Sequence, residues 1–184
     1  MAEPAPAAPV AGASGDADLL VEVLIEAPGW EGVALDPLAE RAARATLSHL
    51  GLNPQSFEIA LLATDDAGIV PLNDRFRGKP VATNVLSWPA LDLRPPRPGV
   101  APPPPGPDHF GEEPQALGDI ALALETCAGE AAAAGRPLAD HLTHLVVHGC
   151  LHLLGFDHET EQDALLMERI EVEVLATLGV PDPY

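Results

Sequence analysis

The chain has 184 residues, 47% of them hydrophobic, and sets 28 acidic side chains against nine basic ones for a formal net charge of −19. That length holds one domain around one sizeable core, and no run approaches the ~18 apolar residues of a membrane span. So few cations exclude a protein that coats duplex nucleic acid by neutralising its phosphates.

Residues 1–17 are Ala/Pro-rich, without a basic residue or a continuous apolar stretch, and read as a disordered tail rather than a secretory signal. The domain is expected over 18–180. Leu19 to Ala27 alternates Leu19, Val21, Val23 and Ile25 against Glu22 and Glu26, the pattern of a strand with one drier face. Asp36-Pro37 offers an N-cap and a first-turn proline and Gly51 a stop, which predicts a helix from about Pro37 to Leu50 that buries Leu38, Ala42, Ala45 and Leu50. Phe57 to Thr64 reads as a second strand closed by a turn at Asp65-Asp66-Ala67-Gly68. A short helix around Leu72 to Phe76 then leads through Arg77-Gly78-Lys79 to a strand at Thr83 to Trp88.

Residues 90–116 are rich in proline, which lacks the N–H and fixes φ, so they support neither a ladder nor a helix. A long, mobile surface loop inside the domain is the expectation. Gly118 to Leu124 gives a fourth strand. Glu125–Ala134, Leu138–Leu153 and about Thr160 to Leu178 read as helices, the last with Leu166, Ile170, Val174 and Leu178 on one stripe.

The most informative run is His148-Gly-Cys-Leu-His152-Leu-Leu-Gly-Phe-Asp-His158. Two histidines four residues apart project from one helix face, one turn apart. Gly155 supplies a position for φ > 0 that ends the helix and lets the chain return with His158. Three neutral imidazoles meeting at one point make a catalytic zinc site whose fourth position is left to water. The offsets match the metzincin motif H-E-x-x-H-x-x-G-x-x-H, except that Gly149 stands where that motif has its general base. His144 extends the stripe upstream and reads as a wall of the pocket rather than a ligand, while His141 reads as an ordinary polar residue. Asp157 is either an acceptor for an imidazole N–H or a plain turn aspartate. Cys150 lies two positions from each flanking histidine, on the wrong face to bind with them. Both Cys127 and Cys150 read as reduced packing residues of a cytoplasmic protein.

The zinc run occurs together with Leu72-Asn73, Phe76-Arg77-Gly78-Lys79, Thr83-Asn84-Val85-Leu86-Ser87-Trp88-Pro89 and Leu117-Gly118-Asp119-Ile120. In this order the set resembles the YbeY family of bacterial endoribonucleases and rRNA maturation factors, over about Leu19 to Leu178. The resemblance implies a small α/β (α+β) domain: a four-stranded mixed, mostly parallel sheet packed with about five helices, and a metal in a cleft. It implies one Zn2+ per chain on His148, His152 and His158, with Arg77 placed for RNA phosphate. It further implies single-stranded RNA or rRNA as substrate, the ribosomal small subunit or its assembly factors as partners, and a role in small-subunit rRNA 3′-end maturation and ribosome quality control. Where many relatives follow Arg-Gly-Lys with Lys and Pro, this chain has Pro80-Val81-Ala82, so one cationic contact is absent. Its proline-rich loop is also longer than in many relatives.

The combined reading is a zinc-dependent, single-strand-specific endoribonuclease of the cytoplasm, without membrane association. Its catalytic residues are Arg77, which stabilises charge on the phosphate, and His144. The general base stays open among the metal's own water, His144 and the substrate's 2′-OH. Two rivals remain: a metallopeptidase-like hydrolase, opposed by Gly149, and a non-catalytic ribosome assembly factor, opposed by three ligands with an open fourth position.

Overall fold

Phe57, Ile59, Leu61 and Ala63 are buried while Glu58 and Ala60 face outward, and this alternation makes Phe57–Thr64 (β2) a central strand with one face on the main core. The structure is a computed structural model that describes residues 19–106 and 113–184; the expected tail and part of the proline-rich loop lie outside the described residues. Val21–Ile25 (β1) pairs parallel with β2, and β2 pairs parallel with Gln115–Ala123 (β4). Val85–Pro89 (β3) closes the other edge antiparallel to β4, giving the order β1-β2-β4-β3. This is the expected four-stranded, mixed and mostly parallel sheet.

Leu35–His49 (α1) and Leu138–Leu153 (α4) cover one face of the sheet in the main core, and Glu161–Thr177 (α5) packs on these two helices. The helix Asp66–Arg77 (α2) covers part of the other face, where Ile69 packs with Leu86, Ala121 and Ala123. Leu124–Ala133 (α3) follows β4 directly and sets Cys127 into the main core. Among the described residues these are the five α-helices.

Three expectations change. α1 begins two residues early, at Leu35, and its N-cap position is Ala34, so Asp36 and Pro37 lie inside the first turn. The reason is packing: Leu35 is fully buried and anchors the start, and the buried stripe includes Ala39, Ala43 and Leu47 in place of Ala45 and Leu50. Asp65 to Gly68 is a helix start rather than a closing turn, because the Asp65 side chain accepts from Gly68 N–H at 2.7 Å and caps α2. Pro71 lies inside that helix on an exposed position. The last two residues of the expected proline-rich loop, Gln115 and Ala116, belong to β4; over residues 90–106 the loop has no regular structure, yet it is docked at points. Leu91 packs on the main core, and Gly99 N–H donates to Asp163 Oδ1 at 2.8 Å.

Candidate metal centre

α4 carries His144, His148 and His152 on one stripe, with the apolar side of the helix (Leu142, Val146, Cys150, Leu153) sealed into the core. Gly149 faces the sheet, and a Cβ there would lie 2.9 Å from Ile120 Cδ1 and 3.3 Å from its Cγ atoms, so any larger residue would make the Ile120 side chain shift. After Leu153 the chain turns at Gly155, whose φ of 86° and whose 2.4 Å separation from the Leu93 carbonyl at a virtual Cβ leave no room for a side chain. The turn returns His158 to His148 and His152. Its ring stacks on His148 with centroids 5.5 Å apart and lies 5.0 Å from that of His152.

The ligand atoms of His148, His152 and His158 all lie within 4.8 Å of one another. Two of the rings are oriented from behind. His148 Nδ1–H donates to Glu171 Oε1 at 2.8 Å, and His152 Nδ1–H donates to the Phe156 carbonyl at 3.0 Å. With both Nδ1 protons so engaged, the two Nε2 atoms face each other bare at 3.0 Å. Two lone pairs at that distance repel unless a proton or a cation lies between them. Burial, and then the neighbouring His148 and His158, lower His152 to about 4, which keeps its imidazole neutral and able to ligate at pH 7. A cation fits: metal–nitrogen bonds of ~2.0–2.1 Å in tetrahedral geometry put ligand atoms roughly 3.3 Å apart. His148 and His152 are part-buried and His158 is exposed, so the site opens to solvent on the His158 side.

A family model described as Endoribonuclease YbeY matches residues 31–179. The chain belongs to this family. A protein named Endoribonuclease YbeY from Jannaschia sp. (strain CCS1) is 55% identical over 164 residues, 89% of this chain and 99% of the relative. Its namesake from Dinoroseobacter shibae is 57% identical over 166 residues, 89% and 90% of the two chains. A solution structure of a Thermotoga maritima protein has the same fold, with a TM-score of 0.50 and 21% identity over 86% of this chain and 91% of that one.

Of the other site residues expected from sequence, His144 adjoins the cluster: its ring meets His148 edge-on with centroids 6.3 Å apart, and its ligand-type atoms lie within 4.8 Å of those of His148 and Glu171. His144 Nε2–H donates to Glu171 Oε2 at 3.0 Å, and its buried Nδ1 has no partner among the described residues. Asp157 accepts the backbone N–H of His158 at 2.7 Å and so acts as a turn aspartate. His141 pairs with Glu130 at 2.8 Å. Cys150 is fully buried, and burial pushes its thiol up to about 12, which keeps it out of metal chemistry.

Arg77 is exposed at the last position of α2, just before Gly78, and makes no ion pair among the described residues. The preceding Phe76 lies 5.1 Å from the Trp88 ring of β3, whose residue pairs with Asp119 of β4. Leu153, at the end of α4, closes on the neighbouring Gly118 from the opposite face. The ends of α2 and α4 therefore flank the same end of the β3–β4 pair, on opposite faces of an edge strand.

The residue that sequence reading missed is Glu171. It is fully buried on α5, and its carboxylate accepts from His144, His148 and the Tyr184 hydroxyl. Burial alone would raise its pKa, but the hydrogen bonds from His144, His148 and Tyr184 outweigh it and hold the carboxyl at about 2. The available signal was its place in the sequence: four residues after Met167, next to Ile170 and three before Val174, it falls on the buried stripe of α5.

Proposed function

We propose that this chain is a zinc-dependent endoribonuclease that cleaves single-stranded RNA, acting in the cytoplasm on the 3′ end of small-subunit rRNA and meeting the ribosomal small subunit or its assembly factors there. The observation that carries this reading is the pair of bare Nε2 atoms of His148 and His152, 3.0 Å apart and oriented from behind, with His158 completing the triangle. Family membership supports the reaction class, since the relatives are named endoribonucleases. Among the described residues no helix is long and apolar enough to cross a membrane.

His148, His152 and His158 would hold the zinc, which when bound supplies a Lewis acid and an activated water for attack on phosphorus. Three protein ligands, rather than the four of a closed structural site, leave a position for substrate on the exposed His158 side. Arg77 would bind the phosphate through its planar guanidinium, and Arg75 and Lys79, both exposed, would draw the polyanion toward an otherwise acidic body. Because Arg77 and the histidines flank one end of an edge strand from opposite faces, a flexible single strand can pass around that edge and touch both. A stiff duplex cannot follow such a path. His144, whose Nε2–H is committed to Glu171, would orient the cluster. Proton removal stays open among His144, the metal's water and the substrate's 2′-OH.

Metal analysis of the purified protein and cleavage assays on single-stranded RNA, duplex RNA and casein, each with and without a chelator, test this reading. About one zinc per chain and chelator-sensitive cleavage of single-stranded RNA alone are expected. Chelator-sensitive casein hydrolysis would overturn it in favour of a metallopeptidase. Zinc without any cleavage would favour the assembly-factor rival.

A further inference from the structure

The last described segment of the chain bends back over α5. Val180 N–H donates to the Leu175 carbonyl at 3.0 Å, its side chain packs on the main core, and Arg136 Nη2 donates to the Pro183 carbonyl at 3.1 Å. These contacts deliver Tyr184 to the metal centre. Its ring meets His144 edge-on, with centroids 5.8 Å apart and planes at 83°, and its hydroxyl donates to Glu171 Oε2. Most of the residue stays in solvent, 62% exposed, so the inward reach of the hydroxyl is not a by-product of core packing.

Glu171 has acceptors only, and three donors share them: His148 on Oε1, His144 and Tyr184 on Oε2. Without the Tyr184 hydroxyl, each carboxylate oxygen keeps a single donor in a fully buried place, and the carboxylate is less tightly fixed about its side-chain torsions. Rotation would release the Nδ1–H of His148, and with it the ring orientation that turns Nε2 toward His152. A carboxylate behind a ligating imidazole fixes its tautomer and raises its basicity. Here the carboxylate is itself held by a phenol and by His144.

We propose that Tyr184 is a positioning residue of the metal centre: its hydroxyl pins the Glu171 carboxylate, and Glu171 in turn holds His148 in the orientation and tautomer that bind the ion. The proposal rests on the reading of His148, His152 and His158 as zinc ligands. It assigns a function to the tail 180–184 that packing alone does not require.

The test is zinc affinity, measured by competition with a fluorescent chelator, for wild type, Tyr184→Phe, Glu171→Gln and the double variant. The absorption spectrum of the cobalt-substituted protein is the second readout. Tyr184→Phe keeps the ring against His144 and removes only the hydroxyl, so the metal-free protein should stay folded and its melting temperature should fall by only about 5 °C. Its zinc dissociation constant should rise about fivefold, less than the roughly 10–100-fold losses from partners directly behind a ligand, and the cobalt bands should shift. In the Glu171→Gln background the same change should cost less than about twofold, because the path runs through Glu171. Wild-type affinity and an unchanged cobalt spectrum in Tyr184→Phe would overturn the proposal, as would an equal loss in both backgrounds, which would reduce Tyr184 to tail packing. If Glu171→Gln does not fold, the affinity and cobalt spectrum of Tyr184→Phe decide alone. A wild-type protein that binds no zinc would instead overturn the ligand reading, and this inference with it.

Discussion

Around the histidine cluster, side chains are held from behind by other buried groups: His148 by Glu171, His152 by the Phe156 carbonyl, and Glu171 by His144 and Tyr184. At the same end of the sheet, on its other face, Arg75, Arg77 and Lys79 leave an exposed helix end. There Arg75 lies 5.7 Å over the Phe76 ring and Arg77 has no ion-pair partner among the described residues. The contrast follows from what each region has to bind. A small ion needs ligand atoms fixed within tenths of an ångström before it arrives, and a buried carboxylate that orients them must itself be satisfied or cost several kcal/mol. A phosphate on a flexible strand tolerates a range of approaches, so cations can stay solvated and lose their rotamer freedom, about 2 kcal/mol each, only on contact. One region is preorganised and the other orders on binding.

Changing the fixed region should have the largest effect. His152→Ala removes one of three imidazoles and leaves too few ligands for tight binding. Zinc content should fall from about one per chain to none, and RNA cleavage should disappear with it. Full zinc occupancy in this variant, measured by elemental analysis, would remove His152 from the ligand set.

The solvated region should respond differently. Arg77→Lys keeps the charge and alters only the geometry of the donors. Because Arg77 is exposed, the fold should change by no more than about 0.5 kcal/mol. Zinc content should match wild type while RNA cleavage slows at least tenfold. A loss of zinc would show that the two regions are coupled, and wild-type turnover would reduce Arg77 to a surface charge.

The two regions were not equally legible in the sequence. α4 spans Leu138–Leu153 as its periodicity predicts, since Gly135 and Gly155 bracket an uninterrupted apolar stripe and nothing in the tertiary structure opposes it. The three-histidine motif is legible for a local reason: spacings of four and ten residues, with a turn glycine between, determine which rings converge. Glu171 and Tyr184 reach the same site from α5 and the tail, and no local spacing connects them to His148. Glu171 also reads as one more acid in an acidic run until its place on the buried stripe is noticed. The error at α2 has another origin. Asp65 to Gly68 read as a closing turn and the helix as Leu72 to Phe76, but the Asp65 cap and the burial of Ile69 start the helix at Asp66. Tertiary anchoring outweighed the local signal there, as Leu35 did at the start of α1.

The smallest effect should come from the proline-rich loop, which borders the fixed region without belonging to it. Its contacts with the core and with the Gly155 turn come before Arg97: Leu91 packs on the main core, and the Leu93 carbonyl lies against Gly155, in the turn between His152 and His158. Deleting Arg97 to Pro107 removes the bond from Gly99 to Asp163, a single exposed hydrogen bond of about 1 kcal/mol. Asp163 keeps its place at the start of α5, because its backbone N–H still donates to Thr160 Oγ1 at 3.2 Å and caps the helix. The melting temperature should fall by less than about 4 °C, with zinc content unchanged. Extending the deletion back to Leu91 should lower both, since it strips the contact that backs the Gly155 turn and so loosens the return of His158. Equal, small losses for the two deletions would place the Gly155 turn outside the loop's influence. A large fall from the shorter deletion would make residues 97–107 part of the packed body and extend the preorganised region beyond the helices that carry the ligands.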